Sequence, residues 1–99
     1  EESTEGRTVH WIVPNAQKNE MEPILLTLEP GAATDKDFPH EGEEFGYVLS
    51  GVIQVNLAGQ GYKAKKGEAF YYKADRVHYL RNIGKSVCRV LWVSTPPMF

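Results

Sequence analysis

The 99-residue chain is short of several things, and each shortage removes a class of function. It holds one cysteine, Cys88, so no internal disulfide can form, and a reducing cytoplasm is the expected compartment. It has no excess of positive charge, since 11 Lys and Arg against 13 Asp and Glu leave a net charge of −2. Nucleic acid is therefore not expected to be a direct partner of these residues, because gripping phosphates takes a basic face. No apolar run nears the ~20 residues that cross a bilayer, and no signal peptide opens the chain, so no membrane partner is expected. Helical spacing is missing too. No window carries apolar residues at i, i+3, i+4 and i+7, and only 15–21 has room for a turn of helix.

What is present is a series of short apolar runs broken by turn residues. Hydrophobic side chains make up 41% of the sequence, enough for a packed core. The runs at 8–13, 23–28, 38–40, 45–49, 52–57, 62–64, 69–72, 78–82 and 87–93 are predicted as strands. Breaks at Pro30-Gly31, Gly51, Gly59-Gln60-Gly61, Gly67 and Gly84 separate them. Ile53, Val55 and Leu57 alternate with Gln54 and Asn56, as a strand with one buried face does. The prediction is a single all-β domain over 8–99, with the polar stretch 1–7 as a tail or linker.

Three titratable side chains fall beside turn residues at strand ends. His40 precedes Glu44 with Gly42 between them, and His78 opens a strand that ends at Asn82. Two imidazoles and a carboxylate converging on one point make a facial triad with open positions, a set that suits iron, zinc or manganese. The bland alternative is a hydrogen-bonded polar cluster. The acidic run Glu41, Glu43 and Glu44 could draw a cationic ligand, but Glu41 and Glu43 read more simply as a solvated loop. Lys63, Lys65 and Lys66 read as a wet hairpin, and His10 as a core or interface histidine. Cys88 reads as an inert apolar residue of its strand.

The segment from Gly31 through His40-Glu41-Gly42-Glu43-Glu44 to Gly51 resembles the first cupin motif. The segment Gly67 … His78 … Asn82 resembles the second. With Gly42–Leu49 and the ending Val90–Pro97, the chain from about Leu25 onward is similar to the C-terminal cupin domain of Xre-type helix-turn-helix transcription regulators. The resemblance implies a jelly-roll (double-stranded β-helix) barrel with a ligand cavity inside. It places His40, Glu44 and His78 at three of the family's four metal-ligand positions, with Phe38 where the fourth, an imidazole, would stand. Lys73 and Asp75 replace the proline and glycine of the second motif.

These residues predict a ligand site of Phe38, His40, Glu44, Phe70, Tyr72 and His78. Phe38 is included because in a strand it shares a face with His40. His40, Glu44 and His78 form an incomplete metal set for zinc, iron, manganese or nickel, and no catalytic residue is assigned. The leading expectation is a small-molecule-sensing regulatory domain. It would act as a homodimer and reach DNA only through an N-terminal domain absent from this chain, which opens on Glu1 rather than methionine. The alternative from another class is a free-standing metal-dependent cupin enzyme, a dioxygenase or isomerase. A third is a sugar- or amine-binding module with no switching role.

Overall fold

A computed structural model describes residues 1–99, the side chain of Gln17 apart. Its nine strands are β1 (Glu2–Thr4), β2 (Arg7–Trp11), β3 (Glu22–Leu28), β4 (Glu43–Ser50), β5 (Val52–Leu57), β6 (Gln60–Lys65), β7 (Ala69–Lys73), β8 (His78–Asn82) and β9 (Cys88–Thr95). A 3-10 turn at Ala16–Lys18 falls inside the stretch expected to hold a helical turn. No helix is long and apolar enough to cross a membrane. All strand pairings are antiparallel, in a six-stranded sheet of order β1-β2-β3-β9-β4-β7 and a three-stranded sheet of order β6-β5-β8. The all-β jelly-roll expectation holds.

Alternation builds the core. Along β3, β4 and β9 every second side chain is buried. The cross-strand register lines these buried positions up in rows. One row runs Val9, Leu26, Val90 and Val48, and the next runs Trp11, Ile24, Trp92 and Gly46. Ile53, Val55 and Leu80 of the smaller sheet complete the cluster. Each such aliphatic side chain contributes roughly 1.5–3 kcal/mol on burial. A third row, at one end of the barrel, is different. Tyr72, Glu44, Ser94 and Glu22 lie side by side across four strands, all buried and all polar.

Two expectations need correcting. The stretch 1–7, read as a tail, is built into the larger sheet: β1 pairs with β2 through the two-residue turn Glu5-Gly6. Both turn residues have positive φ, 49° and 81°, as the turn that matches strand twist requires. No strand forms at 38–40, and the stretch before it carries only isolated bridges. Gly31, Ala32, Thr34 and Asp37 exchange backbone hydrogen bonds with β8, and the last pair is Asp37 with His78. β8 begins at His78, the partner of Asp37, and Pro39 has no N–H to extend the pairing further.

Candidate functional site

The polar row becomes a site because the chain delivers two histidines to it. Glu44 points inward from β4, and His78 enters at the first residue of β8, fully buried. His40 arrives on the loop before β4. That loop is anchored by His40 N–H to the Ala74 carbonyl (2.8 Å) and Ala74 N–H to the Gly42 carbonyl (3.0 Å). Gly42 makes the turn between His40 and Glu44. Its φ is +119°, and a Cβ there would sit 1.7 Å from the Thr95 carbonyl oxygen, so only glycine fits.

The distances are short. His78 Nε2 is 3.2 Å and His40 Nε2 3.5 Å from the same oxygen of Glu44, and the two rings meet edge-on with centroids 5.3 Å apart. Tyr72 donates its hydroxyl to the other Glu44 oxygen at 2.5 Å. Burial and the Glu44 charge push that hydroxyl far above the ordinary tyrosine range, so it remains a donor. Both histidines spend Nδ1–H on the main chain, His40 on the Glu41 carbonyl (2.9 Å) and His78 on the Arg76 carbonyl (2.8 Å). Both Nε2 atoms therefore face the Glu44 carboxylate.

Neutral imidazoles in this arrangement aim lone pairs at a carboxylate, which calls for a positive centre between them. A proton on His78 is one solution. Burial pulls its pKa down, but hydrogen bonds to Asp37, Glu44 and the Arg76 carbonyl outweigh this and lift it to about 10. His40 Nε2 has no such relief, being buried with no hydrogen-bond partner. A divalent cation is the other solution. The candidate ligand atoms of His40, Glu44 and His78 all lie within 4.8 Å of one another, so the donor set fits a metal by number, type and orientation.

Of the six predicted ligand residues, the structure brings four together: His40, Glu44, Tyr72 and His78. Phe70 is adjacent. Its ring stacks on Tyr72 (centroids 6.1 Å, interplanar angle 5°) and lies over Gly46, where a Cβ would come within 2.0 Å of it. Phe38 departs. It is 79% exposed, because 38–40 is not a strand and the ring has no reason to share a face with His40.

Sequence reasoning missed three neighbours. Asp37 Oδ2 lies 3.4 Å from His78 Nε2, and Ser94 Oγ lies 3.5 Å from Glu44. Phe99 packs its ring on Trp92 (4.6 Å) and donates its N–H to buried Glu22 (2.8 Å). Alternation from Trp92 could have found Ser94; nothing local marks Asp37. A cavity of about 210 Å³ opens beside the polar row, among Trp11, Ile24, Trp92, Asp37, Arg7 and Phe99. An open depression at the barrel end, beside His40 and Gly42, is larger, at about 650 Å³.

Comparison with known proteins gives this geometry a family. The cupin domain model matches residues 24–94. The HTH-type transcriptional regulator PuuR of Escherichia coli (strain K12) is 33% identical over 76 residues, which is 77% of this chain and 41% of that protein. This chain thus spans less than half the length of that relative. The Cupin_2 domain of an XRE family transcriptional regulator from Enterobacter cloacae superposes with a TM-score of 0.81 at 20% identity, covering 95% of this chain and 100% of that one. A predicted oxalate decarboxylase from Thermotoga maritima superposes at 0.75 with 21% identity, covering 87% of this chain and 76% of that one. These likenesses share the barrel across regulators and enzymes alike, and the chain belongs to the cupin family.

Proposed function

We propose that this domain is the sensing part of a helix-turn-helix transcription regulator. A small-molecule effector enters the barrel, and DNA is read by a domain outside these 99 residues. The observation that carries this reading is the inner wall of the larger sheet, where apolar rows carry one buried polar row and Arg7 at the margin, with His40 Nε2 buried beside that row without a hydrogen-bond partner. A cavity with a few convergent polar groups on an apolar wall suits recognition of a small ligand. The regulatory role is supported by PuuR, a named transcriptional regulator in which the matched part is 41% of the length. Sensing works by population shift, because an effector that binds two DNA-affinity states unequally moves the balance between them. The whole protein acts as a homodimer in the cytoplasm, since operators with two half-sites call for two-fold proteins. The test is the coding sequence ahead of Glu1. A helix-turn-helix domain encoded in frame there supports the reading, and a start codon directly before Glu1 overturns it.

A second reading rests on the triad itself. His40, Glu44 and His78 hold a zinc, iron, manganese or nickel ion, and the chain works as a metal-dependent enzyme. The ion supplies Lewis-acid or redox chemistry, while Tyr72 donates its hydroxyl to Glu44 and the apolar rows exclude water. Elemental analysis after purification without chelator decides this. Stoichiometric metal together with loss of turnover in His78→Ala supports it, and a stable metal-free protein counts against it.

A further inference from the structure

We infer that the cavity beside the polar row takes a neutral aromatic ligand bearing a hydroxyl group, a phenol in chemical class. This names a kind of effector for the sensing reading, on which it rests. Shape, paired charge and one buried N–H on the wall lead to it. The cavity, about 210 Å³, is walled by the rings of Trp11, Trp92 and Phe99 and by Ile24. A cavity of ~150 Å³ is enough to hold benzene. Phe99 shows what this wall accepts, because its ring lies on Trp92 with centroids 4.6 Å apart. Walls made of rings favour an aromatic guest.

Charge and hydrogen bonding choose the substituent. Arg7 lines the cavity, but its two terminal nitrogens are committed to Asp35 (3.0 and 3.1 Å), and Nη1 also reaches the Ala33 carbonyl. Asp37 turns Oδ2 toward His78 Nε2 at 3.4 Å, leaving its other oxygen to accept. Glu2, the remaining charged residue of the lining, is exposed on β1. A charged ligand would therefore shed its water without meeting an unpaired counter-ion inside. One donor is left over. Trp92 is 3% exposed, and its Nε1–H is buried with no hydrogen-bond partner among the described residues. The Tyr72 hydroxyl is near enough to feel that N–H but is turned to Glu44. A buried donor is costly to leave bare, so a ligand that brings an acceptor binds better for it. An ammonium group cannot accept from Trp92, and a carboxylate cannot donate to Asp37. A hydroxyl does both. A sugar also does, but it brings several hydroxyls to a wall that is mostly apolar.

The test uses the chain in chelator, so that no metal takes part. The probe is 4-methylphenol, compared with toluene, benzoate, 2-phenylethylamine and glucose. Calorimetry should give 4-methylphenol a Kd of roughly 0.1–1 mM, fitting for a ligand of about eight heavy atoms. Toluene should bind ~5-fold or more weaker, and the other three weaker still. The chain has two tryptophans. In Trp11→Phe, which keeps a ring on the wall, the one indole N–H resonance in a nitrogen-15 NMR spectrum is that of Trp92. It should move downfield with 4-methylphenol and not with toluene. Trp92→Phe should weaken 4-methylphenol by ~5-fold or more and toluene by less than ~2-fold. Should that variant unfold, Phe99→Ser, outside the strands, locates the site by weakening both ligands ~10-fold. No binding of 4-methylphenol up to ~10 mM, equal binding of toluene, tighter binding of a charged probe or of glucose, or an indole resonance that stays in place overturns the inference. So does a Phe99→Ser variant that binds both ligands unchanged. An upstream sequence without a helix-turn-helix domain would fail the sensing reading and leave these results standing, so the two failures stay distinct.

Discussion

Gly42 allows two destabilising effects to be measured apart. Gly42 and Gly59 both have positive φ, +119° and +85°, but a Cβ on Gly59 meets nothing within 4 Å. Gly59→Ala therefore reports backbone strain alone. A left-handed L-residue costs ~1–2 kcal/mol, and the stiffer unfolded chain returns ~0.4–1 kcal/mol, leaving a net loss below about 1.5 kcal/mol. Gly42→Ala carries ~1–3 kcal/mol of strain at its more extreme angle. It also places a methyl 1.7 Å from the Thr95 oxygen. The end of β9 must retreat by at least about 1.7 Å, from 1.7 to 3.4 Å, to reach ordinary contact, in a region packed at crystal-like density. That motion strains the Glu43–Thr95 pairing and the Ala74 N–H to Gly42 carbonyl bond. At ~0.5–1.5 kcal/mol for each bond lost, the total reaches roughly 3–5 kcal/mol. For a domain this size, ~4–8 °C accompanies each kcal/mol, so melting should fall by ~12 °C or more for Gly42→Ala and by well under that for Gly59→Ala. Scanning calorimetry of both variants in chelator gives the answer. Equal losses would refute the clash argument, because strain alone would then account for both.

Three other outcomes are expected. Because the His78 pKa is raised from 6.5 to about 10, its ion pair contributes fully below pH 6.5 and is lost as pH rises through 10. In chelator, wild type should thus lose part of its melting advantage over His78→Gln across that window, on the order of a few kcal/mol, and a constant gap rejects the assignment. Phe38→His should leave zinc affinity by calorimetry within ~twofold, since that side chain points to solvent, whereas Asp37→His, beside His78, should tighten it by ~10-fold or more. The reverse order would show that the loop rearranges around metal. Asn82→Ala should cost ~2–4 kcal/mol in urea denaturation, because its buried amide bonds the carbonyls of Leu28 and Ser86 and the Gly84 N–H; a loss under ~1 kcal/mol would mean those bonds are replaceable.

Strands were legible wherever alternation and turn residues coincide. Ile53 and Val55 face the core as their spacing implies, and β9 runs through the apolar stretch that marks it. The β1–β2 hairpin was hidden because its strand carries only polar residues. Glu5-Gly6 was the one cue, and a lone Glu-Gly is a weak turn signal beside Asn-Gly. The triad His40, Glu44 and His78 was readable as spacing. Phe38 was not, since its direction depends on where pairing with β8 stops, which is a tertiary event. Asp37 escaped for the same reason. It reaches His78 through a backbone bridge between segments 41 positions apart in the chain, and no local pattern records that.

The way His40 and His78 are held has a consequence for how this site can vary. At Nδ1 each ring is held by a main-chain carbonyl, that of Glu41 or Arg76, and not by the side chain of either residue. The identities at 41 and 76 are thus decoupled from imidazole orientation. Charge at the barrel entrance can be rewritten, from acidic to neutral or basic, while the inner trio keeps its aim. A scaffold of this kind can change what it admits without rebuilding what it grips with.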